Sequence, residues 1–205
     1  MQYFKGQNNR TIMRIAGIVL LAGLLPIGLQ IQPASAETQT PTYSLWSNLS
    51  PISADTNPIE LGFKFRTDVD GQISVIRFYR AVPIDSGYTV HLWSVTGELL
   101  GSGVAIEGQG PTPGWQKISL YPPVSIKAGQ TYIASYYTSK GLYTIIENFF
   151  NDPKASLDNG PLHALRDGED GSNGIYTYAL GGGFPTESWH SSNYWIDVEF
   201  KPTTP

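Results

Sequence analysis

The stretch 167–173 has the residue types of a calcium site. It contains Asp167, Glu169, Asp170 and Asn173, together with glycines that allow the backbone to wrap tightly. Calcium in proteins takes about six to eight oxygen ligands from carboxylates, amides and backbone carbonyls. We therefore predict bound Ca2+ as a cofactor, with these side-chain ligands: Asp158, Asp167, Glu169, Asp170 and Asn173. The alternative is plain turn structure, because Asp-Gly and Asn-Gly favour turns and the spacing matches neither an EF-hand loop nor a Gly-rich repeat.

Aromatic residues beside this stretch have the types that bind sugars. Sugar rings present apolar C–H faces that pack on Trp and Tyr, while polar side chains fix their hydroxyls. We predict that His163, Trp189, His190 and Tyr194 form a ligand-binding group. A core role is the competing interpretation for each aromatic residue. In a strand Trp195 would point away from Tyr194, so one of the two is expected in the core.

Motifs of catalysis are not found in the sequence, and we predict no catalytic residue. The triple glycine at 181–183 lacks the Lys-Ser/Thr and the following helix of a phosphate loop, so a turn or close backbone packing explains it better. There is no Gly-x-Ser-x-Gly motif, and no cysteine to complete a zinc site with histidine. His91 alternates out of a predicted strand and is expected to be exposed. Paired carboxylates could serve glycoside hydrolysis, but their separation does not follow from the sequence.

The first 36 residues have the layout of a secretory signal. Three basic residues precede an apolar run at 15–29, and Ala-Ser-Ala at 34–36 supplies small residues for a signal peptidase, with cleavage after Ala36. An uncleaved membrane anchor is the alternative, but spanning a bilayer takes about 20 apolar residues. We predict an exported protein, periplasmic or extracellular, with no stable membrane insertion after cleavage.

The chain that remains after cleavage is acidic and has no cysteine. All 17 Asp and Glu lie in it, against 10 of the 13 Lys and Arg, which leaves a net charge of about −7. An acidic chain without a basic stripe is unsuited to nucleic acid or anionic lipid, and we predict neither as a partner. Without disulfides, the domain depends on its core for stability, helped by any bound ion.

Short strands between Gly, Pro and Asp turns account for most of the mature sequence. Strands are predicted at 61–66, 72–80, 88–94, 114–120, 130–137, 142–149, 174–180 and 193–200, with a further one after the turn that follows residue 94. No segment keeps the 3.6-residue period of a helix. Strands without intervening helices pair antiparallel, so we predict an all-β, antiparallel two-sheet β-sandwich of jelly-roll type. The apolar register changes within 72–80, which indicates a β-bulge.

The domain organisation follows from these elements. We predict a signal peptide 1–36, a leader segment 37–58, a β-sandwich domain 59–201 and a tail 202–205. Leu45 and Trp46 in the leader are expected to dock onto the domain. A long Asp/Gly-rich loop at 150–174 interrupts the strands, and loops of that length in compact domains are usually functional or ordered by an ion.

Several segments occur in the order of a known family. They are Asn-Gly-Pro-Leu-His, Asp-Gly, Asn-Gly, Gly-Phe-Pro and Asn-Tyr-Trp within 158–200, preceded by "ELGFKF", "IRFYR", "LWSVTGELL", "GWQ" and "YIASYY". Over 45–200 the chain resembles the bacterial extracellular domain of unknown function numbered four thousand and eighty-two. The resemblance implies an exported β-sandwich, usually one module of a longer surface protein beside Ig-like or carbohydrate-active domains, and it implies no reaction. This sequence contains one such domain.

Three functions are compatible with these features. We predict a secreted, non-catalytic binding module whose partner is a cell-surface or matrix carbohydrate, which coplanar exposed aromatics would favour. The alternative is a structural or adhesive surface protein with an ion-stiffened loop, which a long uncovered edge strand or a broad apolar patch would favour. A secreted hydrolase fits less well, and a deep cleft that brings His163 or His190 to a carboxylate would favour it.

Overall fold

The computed structural model of the chain describes residues 40–46, 53, 55–83, 87–106 and 110–203. The predicted signal peptide and its cleavage point lie outside the described residues. Within these ranges no α-helix occurs, and nothing helical has the length and apolar character needed to cross a membrane.

The described chain forms eleven strands and one short 3-10 turn, Phe149–Asn151. The strands are β1 Ile59–Thr67, β2 Gly71–Arg80, β3 Thr89–Ser94, β4 Leu99–Val104, β5 Gly114–Ile126, β6 Tyr132–Thr138, β7 Asp158–Asn159, β8 Leu162–Ala164, β9 Ile175–Thr177, β10 Glu187–Ser188 and β11 Ile196–Pro202. Every strand pairs antiparallel with its neighbours. Short connections impose this arrangement, because parallel neighbours need long crossovers.

Two sheets pack face to face. The larger has eight strands, with the path β10-β9-β1-β6-β3-β4, and β8 pairs with both β1 and β7 off that path. One edge of β1 is shared, since β9 pairs at Glu60–Gly62 and β8 pairs at Phe65–Thr67. The smaller sheet has three strands in the order β11-β2-β5. The predicted all-β, antiparallel two-sheet sandwich is confirmed.

Alternation in β1 and β2 supplies the core between the sheets. Leu61 and Phe65 of β1 are fully buried, as are Ile73 and Ile76 of β2. Burying a side chain of this size stabilises a fold by about 1.5–3 kcal/mol. The spacing of three between Ile73 and Ile76 accompanies a register shift against β11: Ile73 pairs with Phe200 and Val75 with Glu199, so β2 has one extra residue there, which confirms the bulge.

The segment 43–46 docks on the smaller sheet. Tyr43 exchanges backbone hydrogen bonds with Phe200 of β11, at N···O distances of 2.8 and 2.9 Å. The fully buried carboxylate of Asp197 accepts hydrogen bonds from the backbone N–H groups of Leu45 and Trp46, at 2.8 and 3.0 Å. The Trp46 side chain is buried in the main core. The expected docking of this segment is therefore confirmed.

Asp197 also forms a buried ion pair with Arg77, its register partner on β2. The Arg77 Nη2 donates to Asp197 Oδ2 at 2.6 Å and to the backbone oxygen of Trp46, also at 2.6 Å. The guanidinium lies 4.5 Å from the ring centroid of Trp115, a cation–π arrangement. Burial raises the pKa of Asp197, while Arg77 and the two backbone N–H groups oppose that shift. The Asp197 carboxylate thus links β11 both to β2, through Arg77, and to the docked segment 43–46.

The strand predicted at 142–149 does not form, and that prediction is wrong. Ile146 makes an isolated antiparallel bridge with Asn193. Asn148 then takes a left-handed φ of 59°, which turns the chain into the 3-10 turn at Phe149–Asn151. The loop predicted at 150–174 is also less irregular than expected, because it contains β7 and β8.

The last strand begins later than predicted. Trp195 has a φ of 56°, so its backbone is left-handed and β11 starts at Ile196 instead of 193. This conformation breaks the alternation along the chain. Tyr194 and Trp195 are consequently both buried, where alternation led us to expect one of them in the core.

Candidate functional site

Asn173 is the centre of the Asp/Gly-rich loop. Its side chain is fully buried, and Oδ1 accepts a hydrogen bond from the backbone N–H of Lys64 at 2.8 Å. Its Nδ2 donates to the carbonyl oxygens of Lys64 and Leu165 at 3.0 and 2.6 Å. Its backbone N–H donates to Asp167 Oδ1 at 2.9 Å. The side-chain amide of Asn173 therefore makes hydrogen bonds to the backbone N–H and C=O of Lys64 in β1, as a neighbouring strand would.

The carboxylates of this loop have donors from the chain itself. Asp170 accepts hydrogen bonds from the Thr131 hydroxyl and from Arg66, whose Nη2 lies 3.1 Å from Oδ2. The bond from Thr131, helped by Arg66, holds the pKa of Asp170 below its ordinary value. Glu169 accepts from the backbone N–H of Arg166 at 3.1 Å. These contacts hold the loop against β1.

The five predicted calcium ligands do not form one cluster. Asp158 lies on β7, while the other four belong to the network just described. Within the described residues, no group of three or more His, Cys, Asp or Glu side chains is placed to hold a metal ion. Calcium binding stays a prediction. Side-chain hydrogen bonds to Lys64, Arg66 and Thr131 order the loop.

His163 lies between two carboxylates at the surface. Its Nδ1 is 2.7 Å from Asp158 Oδ1, and its Nε2 is 2.8 Å from Asp68 Oδ2. Partial burial acts to lower the pKa of His163, but the two hydrogen bonds outweigh it and the pKa is raised. The imidazole thereby ties β8 to β7 and to the turn after β1, and it does not line the cleft described below.

The triple glycine covers a buried polar network. Glu60 is fully buried, and its Oε1 accepts from the Ser135 hydroxyl at 2.5 Å and lies 2.8 Å from His91 Nδ1. A Cβ on Gly182, where φ is +87°, would lie 2.5 Å from Glu60 Oε2. Glycine is therefore required by close packing, the interpretation preferred over a phosphate loop. The expectation that His91 is exposed is wrong, because its side chain is only 12% exposed beside Glu60.

A cleft of about 520 Å3 is formed by four parts of the chain: the residues leading into β1, the segment after β6, β9 with the residue that follows it, and the segment between β10 and β11. Its lining combines aromatic rings with two carboxylates: Ser53, Asp55, Ile59, Tyr143, Ile145, Glu147, Tyr176, Tyr178, Trp189 and Tyr194. Five of these ten residues are aromatic, and the volume is in the range of small-molecule sites. We call this cavity the tyrosine cleft.

Two pairs of tyrosines line the cleft. The rings of Tyr143 and Tyr194 have centroids 5.7 Å apart and planes at 82°. Those of Tyr176 and Tyr178 are 5.6 Å apart at 74°. Trp189 is half exposed. The tyrosine pairs thus meet edge to face, so they surround the space and do not form a coplanar platform.

Asp55 reaches the cleft from the segment before β1. Its backbone oxygen accepts a hydrogen bond from the N–H of Leu142 at 2.6 Å, which holds Asp55 close to Tyr143, another residue of the cleft. Its carboxylate accepts from the Tyr178 hydroxyl at 2.5 Å and from the backbone N–H of Asn57 at 2.9 Å. Burial acts to raise the pKa of Asp55, but these hydrogen bonds outweigh it and the pKa is lowered.

Glu147 and Trp189 are held together by a strained turn. Glu147 accepts from the Trp189 indole N–H at 3.3 Å and lies 3.1 Å from His190 Nδ1, and these contacts lower the pKa of Glu147. His190 and Ser191 both have a φ of 47°. Such a conformation costs about 1–3 kcal/mol per residue and persists when the surroundings impose it. Here the backbone oxygen of His190 accepts from the N–H of Asn148 at 2.7 Å.

The cleft has a negative electrostatic character. Two of its ten lining residues in the described chain are acidic, and none is Lys, Arg or His. The lowered pKa values of Asp55 and Glu147 keep both carboxylates ionised at neutral pH. Burial raises the pKa values of Tyr143 and Tyr194, so these hydroxyls stay neutral. The charge therefore comes from the two carboxylates.

Sequence reasoning found part of this cleft. Trp189 and Tyr194 line it, His190 contacts its Glu147, and His163 lies outside it. Most of the lining was missed, and it comes from three other segments: Ser53, Asp55, Ile59, Tyr143, Ile145, Glu147, Tyr176 and Tyr178. One usable signal was the pair of tyrosines two positions apart in "GIYTYAL", which a strand places on one face.

Comparison with known proteins gives one family match. A family model described as "Domain of unknown function (DUF4082)" matches residues 46–196. The matched region runs from the docked Trp46 to the first residue of β11 and includes every residue that lines the tyrosine cleft. A search of the curated proteins found no match.

Proposed function

This chain belongs to the DUF4082 family of domains of unknown function, and we propose that it is an exported, non-catalytic module that binds carbohydrate of a cell surface or matrix. The tyrosine cleft carries the proposal, because five aromatic rings and two carboxylates share one cavity there. The tyrosine pairs are not coplanar, so the C–H face of a sugar would pack on single rings such as the half-exposed Trp189, while the carboxylates accept hydrogen bonds from sugar hydroxyls.

The charge state of the two carboxylates supports binding over hydrolysis. A glycoside hydrolase generally needs one carboxyl whose pKa is raised, so that it can give a proton to the leaving group. Hydrogen bonds lower the pKa of both Asp55 and Glu147, so neither holds a proton at neutral pH. His190 reaches a carboxylate here, as the hydrolase alternative requires, but this contact favours the ionised form of Glu147.

Co-sedimentation with insoluble polysaccharides and peptidoglycan tests the proposal. We expect the purified protein to be retained on at least one polymer, and Trp189→Ala to abolish retention. Because Trp189 is half exposed, this variant should remain folded, which its melting temperature checks. Tyr121→Ala is the matched control, since Tyr121 is a highly exposed aromatic residue of β5 outside the cleft. Equal retention of Trp189→Ala and wild type, or no retention on any polymer, would contradict the proposal.

A structural or adhesive role is the second candidate, and the edge strand β4 favours it. Within the described sheets, β4 ends the larger one and pairs with β3 alone. Leu99 and Val104 of β4 are 50% and 70% exposed. Exposed apolar edge strands favour pairing with another chain. This candidate predicts concentration-dependent association in analytical ultracentrifugation that Val104→Lys weakens, and a monomer at all concentrations would exclude it.

A further inference from the structure

We infer that the ligand of the tyrosine cleft carries a protonated amine, as polymers of amino sugars do. The inference rests on the proposed carbohydrate binding and adds the charge of the sugar that is bound. Three features of the cleft support it: the charge on Asp55, the angle between the rings, and the lack of basic residues among the described lining.

Asp55 carries a negative charge that neutral donors alone stabilise. Its carboxylate accepts from the Tyr178 hydroxyl and from the backbone and side-chain N–H groups of Asn57. Within the described residues it has no ion-pair partner. An ammonium group would add the attraction between opposite charges to its hydrogen bonds with this carboxylate, which a neutral sugar hydroxyl cannot do. Asp55 is therefore the principal partner for the amine.

Glu147 adds a second negative charge to the same cavity. Its carboxylate is shared with the Trp189 indole and the His190 ring, so it is less available to a ligand than Asp55. Both charges act against anionic sugars such as uronates or sulfated sugars, because juxtaposed like charges oppose binding and no lysine, arginine or histidine is among the described lining residues. The electrostatics thus disfavour acidic glycans and favour cationic ones.

The arrangement of the rings suits a compact cation. Aromatic faces carry partial negative charge and attract an ammonium group within about 6 Å of the ring centroid. The Tyr143–Tyr194 and Tyr176–Tyr178 pairs meet at 82° and 74°, so they present differently oriented rings to one space. Ring angle and charge therefore favour the same ligand.

Calorimetric titration with three soluble oligosaccharides of equal length tests the inference. The probes are oligomers of glucosamine, N-acetylglucosamine and glucose. Each binding measurement is made at a pH below the pKa of the sugar amine and at a pH above that pKa. We expect the glucosamine oligomer to bind at least about tenfold more tightly than the other two at the lower pH. The preference should disappear at the higher pH, where the amine is neutral.

Asp55→Asn should reduce the preference for the glucosamine oligomer over the glucose oligomer. The matched control is Glu98→Gln, which removes one exposed carboxylate from the turn between β3 and β4 and should leave the preference unchanged. Melting temperatures check that each variant is folded. If Asp55→Asn does not fold, Glu147→Gln tests the same preference.

The outcomes separate this inference from the proposed function. Equal affinity for the glucosamine and glucose oligomers would overturn the amine inference and leave carbohydrate binding intact. An unchanged preference in a folded Asp55→Asn variant would also overturn it. No binding of any oligosaccharide would overturn both, and choline serves as a further probe. Binding of choline alone would show a cation site of another class and would likewise overturn both.

Discussion

Replacing Asp197 by alanine should destabilise the domain by about 3–5 kcal/mol. The side chain is fully buried and accepts hydrogen bonds from Leu45, Trp46 and Arg77. Its removal leaves the guanidinium of Arg77, whose side chain is 12% exposed, without its carboxylate. Breaking a buried ion pair by removing one partner costs about that amount, because the remaining charge stays buried and unpaired.

The expected change is large compared with the stability of the whole domain. Domains unfold with a free energy of about 5–15 kcal/mol. For a chain of this length, each 1 kcal/mol lowers the melting temperature by about 2–4 °C, so the Asp197→Ala variant should melt about 6–20 °C below wild type. Urea denaturation should give a lower midpoint with an unchanged slope, since the surface exposed on unfolding is nearly the same.

Glu199→Gln is the matched control for this measurement. Glu199 lies two residues later on β11, is 20% exposed, and pairs at 2.5 Å with Lys117, whose side chain is 59% exposed. Exposed pairs contribute about 0–1 kcal/mol, so the control should melt close to wild type. Equal effects of the two substitutions, or a loss below about 1 kcal/mol for Asp197→Ala, would refute the reasoning about burial.

Three further changes test other parts of the molecule. Gly182→Ala should lower the stability measured by urea denaturation by about 1–3 kcal/mol, because its Cβ would lie 2.5 Å from Glu60 Oε2 and its φ is +87°; an unchanged midpoint would contradict the packing. Because the pKa of His163 is raised in the folded state, protonated His163 stabilises the fold. This contribution to stability is full at about pH 5.5 and is lost as the pH rises through the folded-state pKa. The difference in melting temperature between wild type and His163→Gln should therefore be largest at about pH 5.5 and smaller at about pH 8.5. A difference that is constant with pH would count against a stabilising role of protonated His163. If the Asp/Gly-rich loop binds calcium, calcium should raise the melting temperature of wild type but not of the Asp167→Asn, Asp170→Asn double variant; equal melts of wild type in calcium and chelator would remove that prediction.

The sandwich was predictable because alternation is a local property of the sequence. A strand with one face in the core needs an apolar residue at every second position, and Leu61 to Phe65 follow that pattern. The bulge in β2, seen in its pairing with β11, was predictable for the same reason, since a shifted apolar register must accompany an extra residue. Conversely, the strand expected at 142–149 failed because Leu142 and Asn148, near its two ends, adopt left-handed conformations that alternation does not encode.

The cleft was largely unpredictable because its lining depends on the backbone path between distant segments. Asp55 and Tyr178 are 123 residues apart, yet their side chains are hydrogen bonded. The left-handed residue Trp195 decides that Tyr194 and its neighbour are both buried, and a bulky aromatic gives no sign of such a conformation. The partners of the Asp-rich loop were hidden in the same way, since Arg66 precedes Asp170 by 104 residues.

The docking of residues 43–46 on β11 also governs when the protein can fold. Leu45 finds its acceptor in Asp197, which is 152 residues further along the chain. In a chain that emerges amino end first, the early segment lacks that carboxylate until nearly all of the remaining sequence has appeared. Contacts between such distant residues slow folding, because a long loop must close first. If the chain is exported, as we propose, we expect it to remain unfolded through most of its passage across a membrane, which is the state that a narrow export channel requires.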